Sequence, residues 1–138
     1  VDTVHLSLPN GESPVELVLA DAGNPHAIRF GNWDDALVEQ MGLAIATHSL
    51  FPRGTNAEFA DLQSDHIRLV VWERGVGRTL ACGTGACATA VAAWDRGLTP
   101  RRATEVRLPG GPLVIAPVGD AGEVTLEGGA VFVFRGSR

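Results

Sequence analysis

One segment of the chain, residues 80–94, joins a cysteine on a glycine-rich turn to a helix that is apolar on nearly every face. Its sequence is LACGTGACATAVAAW. A helix that is apolar all round has no face suited to water, so it belongs in the interior of a fold. Gly97 and Pro100 follow at positions typical of a helix end. The segment therefore predicts a buried central helix that begins at Cys82 and runs to about Arg96.

Most of the remaining sequence has the pattern of strands, and these strands follow one another rather than alternate with helices. Alternation and β-branched residues predict strands at 4–8, 15–19, 27–30, 56–62, 66–72, 104–108, 113–117, 123–126 and 130–134. The turn at 9–11 makes the first two a hairpin. A second, amphipathic helix is expected from an N-cap at Asn32 to about Ser49, and residues 73–78 form a turn-rich link. This order predicts an α+β fold, with a mixed or antiparallel sheet around the central helix.

Cys82 is expected to stand at a helix N-terminus, where free N–H groups and a partial positive charge attract anions. Such a position lowers the pKa of a thiol below its free value of about 8.5. The alternative is a small buried residue on an ordinary turn. Cys87 would lie about 8–9 Å away along the helix, beyond the ~7 Å that a disulfide tolerates. We therefore expect two free thiols, with Cys87 in the core, as in a reducing compartment.

Composition excludes several classes of function. The 138 residues suit one domain, and a formal charge of −5 with scattered arginines argues against a nucleic-acid partner. No apolar run is long enough to span a membrane. The chain contains no lysine, so a pyridoxal linkage is excluded, and no spacing of ligands indicates a metal. We expect no cofactor. Because the first residue is Val1, we expect the chain to begin inside a longer product.

Other polar residues could join Cys82 in a site. Asn24 and His26 lie on a turn before a strand, and Asn56 opens another strand. Each is also a common turn or core residue. By residue type alone, Cys82, His26 and either asparagine could form the triad of a cysteine hydrolase or acyl transferase. The pair Glu73 and Arg74 ends an apolar strand, where a solvated hairpin tip is the ordinary interpretation.

Taken in order, these motifs resemble the C-terminal half of the diaminopimelate epimerase family. The resemblance rests on residues 23–26, 50–52, 56–59, 65–68, 71–75, 81–87, 108–111 and 131–136. It implies a cofactor-independent isomerase of the cytoplasm, which converts LL- to meso-diaminopimelate in lysine and peptidoglycan biosynthesis. Two cysteines on opposite faces of the substrate α-carbon exchange the roles of acid and base in this family.

The resemblance also implies a role for each matching residue. Cys82 matches one of the two catalytic cysteines. Gly83 and Thr84 match residues whose backbone N–H groups hold the α-carboxylate. The other matches are His26 and Glu73, which assist the cysteine, and Asn24, Asn56, Glu73 and Arg74, which bind the substrate.

The chain departs from the family because the segment that carries the other cysteine is absent. Residues 1–138 then form the C-terminal domain alone, and its partner is the N-terminal half of the same enzyme. We expect the isolated chain to be inactive, although a homodimer could bring two copies of Cys82 together. The alternatives are a proline racemase-like enzyme of the same fold and a non-catalytic carboxylate-binding module.

Overall fold

A computed structural model describes residues 1–9, 14–120 and 122–128 of the chain. In these residues two helices and nine strands follow one another along the sequence. They are β1 (Asp2–Leu6), β2 (Val15–Asp21), β3 (Pro25–Phe30), α1 (Asp35–Ala46), β4 (Asn56–Leu62), β5 (Ile67–Glu73), β6 (Gly77–Thr79), α2 (Gly83–Asp95), β7 (Thr104–Leu108), β8 (Gly111–Val118) and β9 (Glu123–Gly128).

The strands form a single mixed sheet in the order β1-β2-β3-β4-β5-β7-β8-β9, and β6 pairs with β5 off this path. Most neighbours are antiparallel, but β3–β4 and β5–β7 are parallel. Each parallel pair is joined by a connection that contains one of the helices. The predicted α+β class with a mixed sheet is therefore confirmed.

Helix α2 lies in the core, and the sheet curves around it. The helix contacts β2, β3, β4, β7, β8 and β9. Its buried residues are small, which lets the strands approach closely: Gly85, Ala86, Ala88, Thr89, Ala90, Ala92 and Ala93. Cys82 is its N-cap, and Gly97 follows the helix with a φ of +68°. The buried central helix is confirmed, as is its end near Arg96.

Helix α1 covers the opposite face of the sheet, against β4 and β5. It begins later than predicted, because Asp34 rather than Asn32 is the N-cap and accepts the Leu37 N–H at 2.8 Å. The buried Trp33 ring donates to the Arg68 carbonyl at 3.1 Å and keeps the preceding chain irregular. The helix also ends earlier than the predicted Ser49, at Ala46.

Strands β1, β2, β3, β5, β8 and β9 differ from the predicted bounds by one or two residues. Strand β1 ends at Leu6 rather than at Leu8, although Leu8 is buried and so keeps the apolar pattern of a strand. Strand β6 was predicted as part of a turn, and its pairing with β5 depends on two glycines of positive φ, Gly75 and Gly77. The predicted strand at 130–134 and most of the turn at 9–11 lie outside the described residues.

Candidate active site

Strand alternation brings the polar residues of three neighbouring strands to the face that packs on α2. Ile28, Ala60 and Val71 share the core cluster of α2. Alternate residues of a strand share a face. His26, Glu58 and Glu73 therefore lie on this same face, each two positions away from one of those core residues. The N-terminus of α2, with Cys82, is packed against them.

Cys82 lies at the first turn of α2, with 9% of its surface exposed. Its Sγ accepts the backbone N–H of Gly85 at 3.3 Å and lies 3.6 Å from the Thr84 hydroxyl. Within the described residues, the N–H groups of Gly83 and Thr84 have no hydrogen-bond acceptor. Two donors at a helix N-terminus are thus free to bind an anion beside the thiol.

The expectation of a lowered pKa for the Cys82 thiol is wrong, because its pKa is raised. Burial raises the pKa of its thiol above the ordinary value, and the charges of Glu73 and Glu58 raise it further. The hydrogen bonds from Thr84 and from the Gly85 N–H lower the pKa but do not outweigh desolvation. Two carboxylates beside the thiol, one of them unnoticed in the sequence, therefore oppose the effect of the helix terminus. Cys82 is held as a thiol, which is a proton donor.

Both cysteines are free thiols, as predicted. Cys87 is half-buried and packs against the core cluster of α2. Burial raises the pKa of this thiol as well. The expectation of a packing role for Cys87 is therefore consistent with its position.

His26 is buried and contacts an oxygen at each ring nitrogen. Nδ1 lies in a close ion-pair contact with Glu58 Oε1, and Nε2 lies 3.1 Å from Asn24 Oδ1. Because both nitrogens are engaged, neither is directed at Cys82, and the geometry does not support a Cys–His–Asn triad. His26 also borders a cavity of about 440 Å³ beside Pro25 and Val91.

Glu58 is the residue of this site that sequence reasoning missed. Its carboxyl is fully buried, and Oε2 has no hydrogen-bond partner in the described part of the chain. Burial raises its pKa from an ordinary 4.5 to about 7, against the lowering effect of His26. The sequence carried a signal, since an acidic residue stands between Ala57 and Phe59 inside a strand.

Asn56 and Arg74 lie at the ends of their strands, with different surroundings. Both ends of the Asn56 amide bond to backbone: Nδ2 donates to the Pro25 carbonyl at 3.2 Å, and Oδ1 accepts the Arg74 N–H at 2.8 Å. The Arg74 side chain crosses Gly54 and donates to the Arg53 carbonyl at 3.3 Å. It lines a cavity of about 520 Å³ on the α1 side of the sheet.

The structure thus brings Cys82, Gly83, Thr84, His26, Asn24 and Glu73 to one side of the sheet, whereas Arg74 turns to the other. No cluster of three or more metal-ligating side chains occurs among residues 1–9, 14–120 and 122–128. In the same ranges, neither helix is long and apolar enough to cross a membrane.

Solved structures of low sequence identity share this fold. A hydroxyproline epimerase from Agrobacterium vitis superposes with a TM-score of 0.56 at 16% identity, over 90% of this chain and 44% of that one. A phenazine biosynthesis protein of the PhzF family from Bacillus anthracis gives a TM-score of 0.54 at 20% identity, over 90% and 38% of the two chains. Both structures share the α+β fold of this chain. This chain covers less than half of each of them.

Sequence comparison identifies the family within that fold. The family profile for diaminopimelate epimerase matches residues 18–133. A diaminopimelate epimerase of Synechococcus elongatus is 46% identical over 137 residues, which are 97% of this chain and 48% of that protein. One from Alkalilimnicola ehrlichii is 50% identical over 88% of this chain and 44% of its own length. The chain belongs to the diaminopimelate epimerase family, and it spans about half the length of these curated relatives.

Proposed function

We propose that this chain supplies one catalytic face of a cofactor-independent diaminopimelate epimerase. The observation that carries the proposal is the position of the Cys82 thiol beside the free N–H groups of Gly83 and Thr84. These groups bind the α-carboxylate of an amino acid and hold its α-carbon next to Sγ. Negative charge that develops on the α-carbon spreads into a carboxylate stabilised by the helix N-terminus.

Cys82 acts first as the acid in this scheme. Its raised pKa keeps it protonated at neutral pH, so it can deliver a proton to one face of the carbanion. For the opposite stereoisomer the resulting thiolate takes the proton back. Asn24, Asn56 and Arg74 are proposed to bind the rest of the substrate, while His26 and Glu73 assist the thiol. The turn of Arg74 toward Gly54 means that it must change rotamer to reach a substrate beside Cys82.

The second acid or base comes from another polypeptide segment. Epimerisation requires proton transfer on both faces of the α-carbon, and Cys82 can serve only one of them. We propose that residues 1–138 form the C-terminal domain and that an N-terminal half carrying its own cysteine completes the site. The length of the relatives supports this arrangement. A homodimer that places two Cys82 thiols face to face is the other arrangement with two thiols. The proposed compartment is the cytoplasm.

The experiment is incubation of the chain in D₂O with a single stereoisomer of diaminopimelate, followed by NMR and chiral analysis. The chain alone should incorporate no α-deuterium above background. Addition of an N-terminal half with its cysteine should start exchange with inversion. Cys82→Ala should abolish this exchange, and Cys87→Ser should leave it within about twofold, because only Cys82 lies at the helix N-terminus.

Exchange by the chain alone, lost in Cys82→Ala, would contradict the half-site proposal and support the homodimer. Exchange of proline but not of diaminopimelate would favour a proline racemase-like enzyme. The free N–H pair at Gly83 and Thr84 also suits a carboxylate-binding module. That function would show saturable binding of diaminopimelate by the complete assembly, without any exchange in the presence of both halves.

A further inference from the structure

Glu58 is a buried acid whose two oxygens have different surroundings. Oε1 contacts His26 Nδ1, whereas Oε2 contacts no hydrogen-bond partner in the ranges that the structure describes. The carboxyl is enclosed by strands β3 and β5 and by the first turn of α2. A buried carboxylate costs free energy unless it is paired or protonated. The ionisation of this acid is therefore tied to its one contact, the His26 ring.

The protons on the pair can be counted from its contacts. Nε2 faces the carbonyl oxygen of Asn24 at 3.1 Å, and an oxygen of an amide can only accept. Nε2 must then carry a proton. Nδ1 faces the Glu58 carboxyl, so a second proton lies between those two groups, either on the carboxyl or on the ring. One form is a neutral acid beside a neutral imidazole, and the other is a carboxylate beside an imidazolium.

Glu58 also approaches the thiol, because Gly85 leaves a gap between them. A Cβ at Gly85 would lie 3.0 Å from Glu58 Oε1 and 3.1 Å from Cys82 Sγ. A Val71 methyl borders the same small space, also 3.1 Å from that position. The two groups interact electrostatically, since the Glu58 charge raises the pKa of the Cys82 thiol. The absence of a side chain at Gly85 thus lets the Glu58–His26 pair lie close to the Cys82 thiol.

We propose that Glu58 is a positioning residue of this site, which holds the His26 ring with Nε2 as a donor to Asn24 and shares one proton with Nδ1. The charge of the pair then changes by one unit when that proton leaves, and the Cys82 thiol responds to the change. The role of Glu58 in holding the His26 ring does not depend on the proposed function. Its effect on catalysis by Cys82 rests on that function.

Burial and the surrounding groups determine the titration of Glu58. His26 on β3 contacts it, the Glu73 carboxyl on β5 acts on it through its charge, and Cys82 at the N-cap of α2 lies across Gly85 from it. Asn24 is the uncharged acceptor at the far side of the ring. Burial raises the Glu58 pKa to about 7, so the shared proton is held at pH 6.

The first test is the ¹⁵N NMR spectrum of His26 in the chain as it stands, at pH 6. We expect Nε2 to be protonated and Nδ1 to give a shift between those of a protonated and a bare nitrogen. In Glu58→Gln the Nδ1 shift should move to one of those two limits. The matched control is Glu39→Gln on the exposed side of α1, which makes the same change of charge away from the ring and should leave both shifts as in the wild type.

The second test is the pH profile of Cys82 alkylation, read by mass spectrometry. Glu58→Gln should shift its midpoint to lower pH and raise the rate at pH 8 by up to about tenfold, the effect of one pKa unit. Cys87 is the internal control, because Glu58 is not a cause of its raised pKa. A general structural defect would alter the labelling of both thiols.

A bare Nε2 in the wild type would overturn the proposal, and so would an unchanged Nδ1 shift in a folded Glu58→Gln. An unchanged Cys82 profile would overturn its coupling to the thiol. None of these readouts uses diaminopimelate or an N-terminal half. Failure of the proposed epimerase activity is therefore distinguishable from failure of this inference.

Discussion

The Asn56 side chain accepts a hydrogen bond from the backbone N–H of Arg74, with a distance of 2.8 Å between Oδ1 and N. Its Nδ2 donates at the same time to the Pro25 carbonyl. One amide thereby joins the start of β4 to the end of β5 and the start of β3. These are the strand ends that carry His26, Glu58 and Glu73. Asn56, which the resemblance assigns to substrate binding, thus also holds together the strand ends that form the site.

Asn56→Asp should destabilise the fold for this reason. A carboxylate can still accept the Arg74 N–H, but it cannot donate to the Pro25 carbonyl and would repel it. Loss of a buried hydrogen bond with an unsatisfied group left behind costs about 1–3 kcal/mol. Urea denaturation of the chain measures the free energy of unfolding. The exposed Asn32 is the control, because Asn32→Asp should stay within about 0.5 kcal/mol of the wild type.

Gly85 and Gly83 provide a matched pair of substitutions in one helix turn. Gly85→Ala would place its Cβ against Glu58 Oε1, Cys82 Sγ and the Val71 methyl, all within 3.1 Å. Overpacking of this kind costs about 1–3 kcal/mol. Gly83→Ala would meet only the exposed end of Leu126, at 3.2 Å, which can move aside. Urea denaturation should therefore show a loss for Gly85→Ala alone, and equal stabilities would contradict the packing described.

Much of the fold could be predicted from local patterns. The all-apolar helix and its glycine stop follow from residues 82–97, and β4 and β7 have the predicted bounds. The errors occur where contacts between distant parts of the chain determine whether an element forms or where it begins. Trp33 is buried against β5 and displaces the cap of α1, while β6 exists only because the hairpin at Gly75 folds it onto β5.

The site was predicted less completely than the fold. Residue types and resemblance identified Cys82 and His26, and strand alternation explains why they face α2. Sequence could not give the acidity of the thiol, because that depends first on the burial of Cys82 and then on two carboxylates from different strands. Glu58 was overlooked because a single acidic residue in a strand gives no sign of what lies opposite it. Only the parallel pairing of β3 and β4 places it against His26.

The two thiols should differ in reactivity despite a raised pKa at each. The Gly85 N–H and the Thr84 hydroxyl stabilise a thiolate at Cys82, whereas no such donor acts on Cys87 in the described structure. We expect iodoacetamide to label Cys82 faster than Cys87 at pH 8, as judged by mass spectrometry. Thr84→Val should slow Cys82 about two- to tenfold, in line with a pKa rise of up to one unit. Faster labelling of Cys87 in the folded chain would reverse this assignment.

Stability should fall as the pH rises through the titration of Glu58. Below its ordinary pKa of 4.5 the group is protonated in both states, and between 4.5 and about 7 the unfolded chain loses the proton while the folded chain keeps it. The unfolded state then binds fewer protons, so the free energy of unfolding decreases across this window. Gln at this position cannot titrate. Relative to Glu58→Gln, the wild type should lose about 1–3 kcal/mol between pH 5 and pH 8, measured by urea denaturation at intermediate values. Parallel curves for the two proteins would mean that burial does not raise the pKa of Glu58.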